Sequence, residues 1–275
     1  MTHESEPLGT AVPEGFLRLR GNVAYDGSDF AGWGIQPDRR TVQGDLEIAL
    51  SNVLRAPRMH VQCAGRTDAG VHATGQVFHV DVPISDFPGA QRVEYRLRQV
   101  LAEDVVVSDV REAQPGFDAR YAALSRSYEY LIGEGPVRPL MRKYVHTHGW
   151  PIDLQIMQQA SQVLLGLNDF TAFCRPREHG TSIRDLQEFS WHRREDGIIA
   201  ARVRADAFCY SMVRMMVGAV LDIGAGRKPV EWLRGYLEGR TRDSSVFVAP
   251  AHGLTLTSVE YPPDDQLALR VERTR

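Results

Sequence analysis

An aspartate and an arginine stand two residues apart in a glycine-flanked turn, Gly65-Arg66-Thr67-Asp68-Ala69-Gly70-Val71-His72-Ala73. A guanidinium so near in sequence would hold the Asp68 carboxylate as an anion, the form a nucleophile or a general base must take. The same residues also fit a plainer arrangement, in which Asp68 caps a helical turn over Ala69-Gly70-Val71 and Arg66 is a surface partner. Other groups offer less chemistry. Cys63, His72 and His79 lack the close-spaced pair of a zinc site and read as strand or turn residues. Tyr128 and Tyr130 alternate along a strand and share one face of it, where tyrosines usually pack. Arg214 lies between Val213 and Met215 in an apolar helical segment; a buried arginine needs a carboxylate, and Asp206 and Asp222 are nearby in sequence.

A sheet must hold the turn, because strand-like runs flank it. Met59 to Cys63 leads in, and Thr74 to Val82 leads out with Val77, His79 and Asp81 alternating as in a half-buried strand. Leu17 to Tyr25 is a third strand, ended by the turn signal Asp26-Gly27. Thr41 is placed to cap a helix with Val42, Leu46, Ala49, Leu50 and Val53 on one face. A second helix, Val93 to Leu101, has Val93, Leu97, Val100 and Leu101 apolar and leads into the β-branched strand Val105-Val106-Val107. This first α+β half, 16–115, ends near Gln114-Pro115-Gly116. The second, 116–263, opens with the strand Ser127 to Ile132. Asp153 then caps a helix carrying Ile156, Ala160, Val163, Leu164 and Leu167, with Gly166 at its end. Phe189 to Glu195 and Ile198 to Arg204 form a hairpin about Asp196-Gly197, a type I′ signal. A helix from Ser211 to Ile223 follows, then a short one from Pro229 that buries Trp232, Leu233 and Tyr236.

At 275 residues and a net charge of −3, the chain suits a soluble α+β protein of two modest halves. Residues 1–15 hold no apolar run, so they read as a disordered tail and not as a signal peptide or membrane span. Residues 264–275, after Pro262-Pro263, read as a charged C-terminal tail. Three cysteines without paired spacing fit a reducing cytoplasm better than a disulfide framework. Lys143 and Lys228 are the only lysines, so arginine carries nearly all the positive charge. Arg39-Arg40, Arg96 with Arg98, Arg142-Lys143 and Arg175 with Arg177 are candidate phosphate contacts, with solvated surface arginines the plain alternative for each.

The turn, followed by Thr74-Gly75-Gln76-Val77, resembles the active-site signature of the TruA family of tRNA pseudouridine synthases. The likeness is co-linear: Ala24-Tyr25-Asp26-Gly27, Phe117-Asp118-Ala119-Arg120, Tyr128-Glu129-Tyr130, Asn168 to Phe173, Phe208 to Arg214 and Ala251-His252-Gly253-Leu254 fall in the family's order. It departs where many relatives run Gly-Trp-Gln and this chain has Gly32-Trp33-Gly34-Ile35-Gln36. The resemblance implies two α+β halves on one continuous mixed, largely antiparallel sheet with a central cleft, working as a cytoplasmic homodimer. It implies a reaction on tRNA that needs no cofactor and no metal, the isomerisation of uridine to pseudouridine at anticodon stem-loop positions 38, 39 and 40. By the same likeness Asp68 is the catalytic carboxylate and Arg214 its partner. Arg66 holds Asp68 and fills the gap left by the extruded nucleotide, Tyr128 stacks on the uracil, and Leu254 closes the pocket. Two rivals use the same cleft: a non-catalytic tRNA-binding or tRNA-folding module, and a hydrolase with Asp68 as base and water as acceptor.

Overall fold

Apolar residues alternating with arginines over Phe16–Tyr25 make strand β1, whose Leu19, Val23 and Tyr25 are buried. The computed structural model describes residues 11–85, 87–175 and 181–274. β1 pairs antiparallel with β3 (His72–Pro83) and β4 (Val105–Glu112), and the short β2 (Gln62–Cys63) joins β3. Helices α1 (Val42–Leu54) and α2 (Ala90–Val100) pack against each other. Thr41 caps α1 by accepting the Gly44 N–H, and the expected apolar face is buried. In α2 only Val93 and Leu97 are buried; Val100, expected inside, is half exposed.

The second half begins with β5 (Ser125–Gly133), joined in parallel by β6 (His146–Thr147). Asp153 caps α3 (Leu154–Gln162) by accepting the Gln155 and Ile156 N–H groups. That helix stops short of Leu167. Gly166, at φ +88°, opens strand β7 (Gly166–Asp169), and Leu167 is exposed on it at the sheet edge. β8 (Ile183–Arg193) and β9 (Ile199–Ala205) form the expected hairpin, but not through a type I′ turn. Gly197 alone takes positive φ, its N–H donates to the Arg194 carbonyl, and the Arg194 N–H donates to Ile198, which is the longer loop with a left-handed glycine. Helices α4 (Met212–Gly224) and α5 (Val230–Gly239), strand β10 (Leu254–Glu260) and α6 (Leu267–Thr274) complete the chain. Trp232 of α5 is only partly buried, stacked on Tyr236.

The strands lie in the order β4-β1-β3-β10-β5-β9-β8-β7. Along it only β3 and β10 run parallel, so the sheet is mixed and largely antiparallel. β10, the last strand, sits between the two halves and makes the seam. Residues 264–274, read from sequence as a tail, are instead ordered against the sheet. Leu267 and Val271 are buried in one cluster with Val77, Phe117 and Ala119. This explains a second difference: β3 is not half-buried, because Val77 faces that cluster and His79 is buried on the same side against Phe117 and Ala119, while Phe78 and Val80 belong to the main core.

Candidate active site

Backbone and buried polar contacts fix the turn ahead of β3. Gly32, at φ +99°, lets Thr67 and Asp68 come close; a Cβ there would lie 2.8 Å from the Thr67 carbonyl oxygen. The Trp33 N–H donates to that oxygen at 3.1 Å, and the Tyr25 and Thr67 hydroxyls are hydrogen-bonded at 2.8 Å. Gln76 Nε2 donates to the Gly65 carbonyl at 2.6 Å. The Val71 N–H returns to the Asp68 carbonyl at 3.2 Å, which closes a turn with no helix after it. Asp68 is therefore not a helix cap.

Its carboxylate is held from the other half of the molecule. Asp68 Oδ2 accepts from the Ser211 hydroxyl at 2.9 Å and from an Arg214 guanidinium nitrogen at 3.1 Å. Oδ1 has no hydrogen-bond partner among the described residues. Arg214 is fixed in turn, its Nε donating to the Ala249 carbonyl at 2.7 Å. Arg214, expected to be buried, is only partly so, and its partner is Asp68, since Asp222 pairs with Arg227 and the Asp206 carboxylate accepts the Asp185 and Ala207 amides. Arg66, the sequence neighbour expected to hold Asp68, is exposed beside Gly34. The positive charge on Asp68 comes from helix α4, through Arg214, 146 residues downstream.

Strand β5 supplies the facing wall. Tyr128 and Tyr130 share a face, as expected, but differ in surroundings. The Tyr130 hydroxyl donates to the Pro250 carbonyl at 2.9 Å, a structural bond. The Tyr128 ring meets Phe208 edge-on, with centroids 5.2 Å apart, and its hydroxyl has no partner among the described residues. Burial, assisted by the Asp68 charge, pushes the Tyr128 phenol above its usual value, so it stays protonated. Leu254, at the start of β10, is buried and pairs in register with Tyr130, while Leu256 pairs with Tyr128. Arg66, Asp68, Tyr128, Arg214 and Leu254 all line one cleft of about 810 Å³. The structure brings the five sequence-derived site residues together at the seam.

Two contributors were not among the expected site residues, although Ser211 lies within the matched stretch Phe208 to Arg214. Ser211 precedes α4 at a position where a hydroxyl commonly caps the helix, yet it makes no cap bond because its Oγ goes to Asp68. Arg126 is buried and donates to three carbonyls: Ala64 at 2.8 Å, Arg120 at 2.6 Å and Asp206 at 2.7 Å. It ties the strand before the Asp68 turn to the segment leading to Ser211. Its one legible signal was an arginine on the tyrosine face of β5.

Cys174 and Cys209 are bonded to each other in the cleft wall, which corrects the reading of all three cysteines as unpaired. Sequence separation hid the pair, because it forms between loops. Cys63 is free, with its thiol pushed up to about 12 by burial. Of the candidate phosphate contacts, Arg40 pairs with Asp45 and Asp104, Arg98 with Glu94, and Lys143 with Asp26, while Arg96 donates to a carbonyl. Arg175 lines the cleft, and Arg177 lies outside the described residues. No group of three or more His, Cys, Asp or Glu that could hold a metal ion occurs among the described residues.

A carboxylate braced by an arginine, with a tyrosine held neutral in the same cleft at the seam of a mixed sheet, is an arrangement that could serve acid–base or group-transfer chemistry. The profile of a family described as tRNA pseudouridine synthase matches residues 22–121 and 160–262. Bacterial proteins named tRNA pseudouridine synthase A are similar over nearly their whole length. That of Frankia casuarinae is 50% identical over 270 residues, covering 96% of each chain. Those of Streptomyces avermitilis and Mycobacterium leprae are each 46% identical, the former covering 98% of this chain and the latter 94%. The chain belongs to the tRNA pseudouridine synthase family, isomerases that convert uridine in tRNA to pseudouridine.

Proposed function

We propose that this enzyme acts on uridines 38, 39 and 40 of the tRNA anticodon stem-loop, with Asp68 as the catalytic carboxylate. The observation that carries the assignment is the asymmetry of Asp68: both protein partners hold Oδ2, and Oδ1 is left for the substrate. Isomerisation breaks the bond between uracil N1 and ribose C1′, turns the base in place and joins C5 to C1′. Oδ1 would act on the sugar, as nucleophile at C1′ or as base toward the C2′ hydrogen. A uridine within a stem must first be extruded, at a cost of a few kcal/mol. Arg66, exposed at the cleft edge, is suited to fill the space it leaves. Tyr128 offers its ring to the uracil and an unengaged hydroxyl to the C5 proton. A phenol held neutral accepts that proton only by passing its own on, so its role is a relay. Leu254 closes the pocket against water, which would otherwise capture the sugar.

The reading takes the protein as a cytoplasmic homodimer, as the family resemblance implies. No helix among the described residues is long and apolar enough to cross a membrane. The test is release of tritium from 5-labelled uridine in a tRNA transcript. Asp68→Ala is expected to abolish release while filter binding of the transcript persists. Release unchanged in the mutant would remove Asp68 from the chemistry, and no release from the wild type would favour the tRNA-folding role. Free uracil among the wild-type products would mark a hydrolase instead.

A further inference from the structure

The segment between β9 and α4 gives most of its side chains to the site already described: Phe208 abuts Tyr128 and Ser211 binds Asp68. Tyr210 differs. Its ring is 45% exposed on the same cleft, and the Arg175 guanidinium lies over it at 5.0 Å from the ring centroid. The pairing is braced. The Cys174–Cys209 bond joins the residues immediately before each member, and the Arg175 N–H donates to the Tyr210 carbonyl at 3.5 Å. Arg175 and Arg184, on the same wall, have no carboxylate within ion-pair distance among the described residues.

An exposed aromatic ring under a guanidinium that has no carboxylate partner among the described residues, one residue from the group that binds Asp68, is a platform built for a planar, anionic polymer. We propose that Tyr210 and Arg175 form a second base subsite, which stacks the nucleobase next to the target uridine while Arg175 and Arg184 meet its phosphates. Extruding one nucleotide deprives its neighbour of a stacking partner, and a fixed ring offsets that loss. Stacking reads no hydrogen-bond pattern, so the subsite takes any base and holds the strand in register rather than selecting sequence. Fixing the ring beforehand reduces the ordering cost of binding.

The subsite rests on the cleft being the RNA site, so one experiment reads both. A 5-tritiated tRNA transcript carries 2-aminopurine on one or the other side of the target uridine. For the wild-type protein the expected result is tritium release together with quenching of 2-aminopurine fluorescence on one flank. Tyr210→Ala is expected to lose that quench and raise KM about 5- to 160-fold, from a stacking contribution of about 1–3 kcal/mol per base, while moving kcat far less. Tyr210→Phe should restore the quench, and Tyr210→Leu, with bulk but no ring, should not. Tritium release by the wild type with identical quench and KM in Tyr210→Ala would overturn the subsite alone. Absence of tritium release from the wild type would overturn the reading of the cleft itself.

Discussion

The hydroxyl on Asp68 Oδ2 comes from a residue whose backbone is in an unfavourable conformation. Ser211 has φ +62° and ψ +10°, the left-handed region that costs a non-glycine residue roughly 1–2 kcal/mol. Glycine would relieve that cost and lose the hydrogen bond, so stability and activity should separate at this position. Ser211→Gly is expected to raise the urea midpoint while lowering kcat about 10- to 100-fold, the equivalent of one hydrogen bond to a charged group, with KM nearly unchanged. Ser211→Thr keeps the hydroxyl but strains a β-branched residue, so its kcat should stay nearer wild type while its midpoint falls. Equal losses of kcat and stability across the series would make Ser211 a folding residue only. Sequence gives no view of this bond. A serine ahead of a helix reads as a cap, and the partner that diverts it is set by tertiary structure.

Among the elements, β5 carries the most information per residue, since Arg126, Tyr128 and Tyr130 lie on one face and each has a different task. Arg126 meets three carbonyls through a fork of donors that a lysine ammonium cannot reproduce. Arg126→Lys is expected to cost about 2 kcal/mol, or roughly 4–8 °C in melting temperature, by leaving buried carbonyls unpaired. It should also lower kcat for tritium release more than tenfold, because the Ala64 carbonyl it holds lies four residues before Asp68. A variant that melts early yet turns over normally would confine Arg126 to the scaffold. Elements with local signals were legible: Thr41 and the apolar period of α1, Asp153 before α3, and the hairpin of β8 and β9. Gly166 was ambiguous, since a positive-φ glycine both ends a helix and opens a strand, and Leu167 went to the wrong element. The Arg66–Asp68 pair was inferred from proximity in sequence. The cost of burying an arginine alone called for a carboxylate beside Arg214 but left Asp206 and Asp222 open; the family likeness named Asp68, the residue Arg214 meets in the fold.

Across the whole molecule the halves meet where β3 and β10 share only two paired positions, and histidines gather on that seam. His72 at the start of β3 accepts the Gly27 N–H through Nδ1 and bonds the Lys143 carbonyl through Nε2. His146 in β6 lies among the rings of Tyr130, Phe247, His148 and His252. Burial, with His252 and His148 alongside, holds His146 down to about 4, and burial also lowers His72 and His79. His79 is buried with Nδ1 accepting the Ala119 N–H and Arg18 close by, so protonation would break that bond beside a like charge. Between about 4 and the ordinary 6.5 the unfolded chain binds protons that the folded His146 does not. Stability is therefore fully present above 6.5 and is lost as pH falls through that window. Below it the carboxylates held low in the fold, Glu47 and Asp26 among them, add their own loss. His146→Phe keeps an aromatic ring in the cluster and cannot titrate. Its urea midpoint is expected to fall less steeply than wild type from pH 6.5 to 4, by on the order of 1 kcal/mol after solvent screening. Parallel profiles for the two proteins would show that the seam gains nothing from a neutral imidazole there.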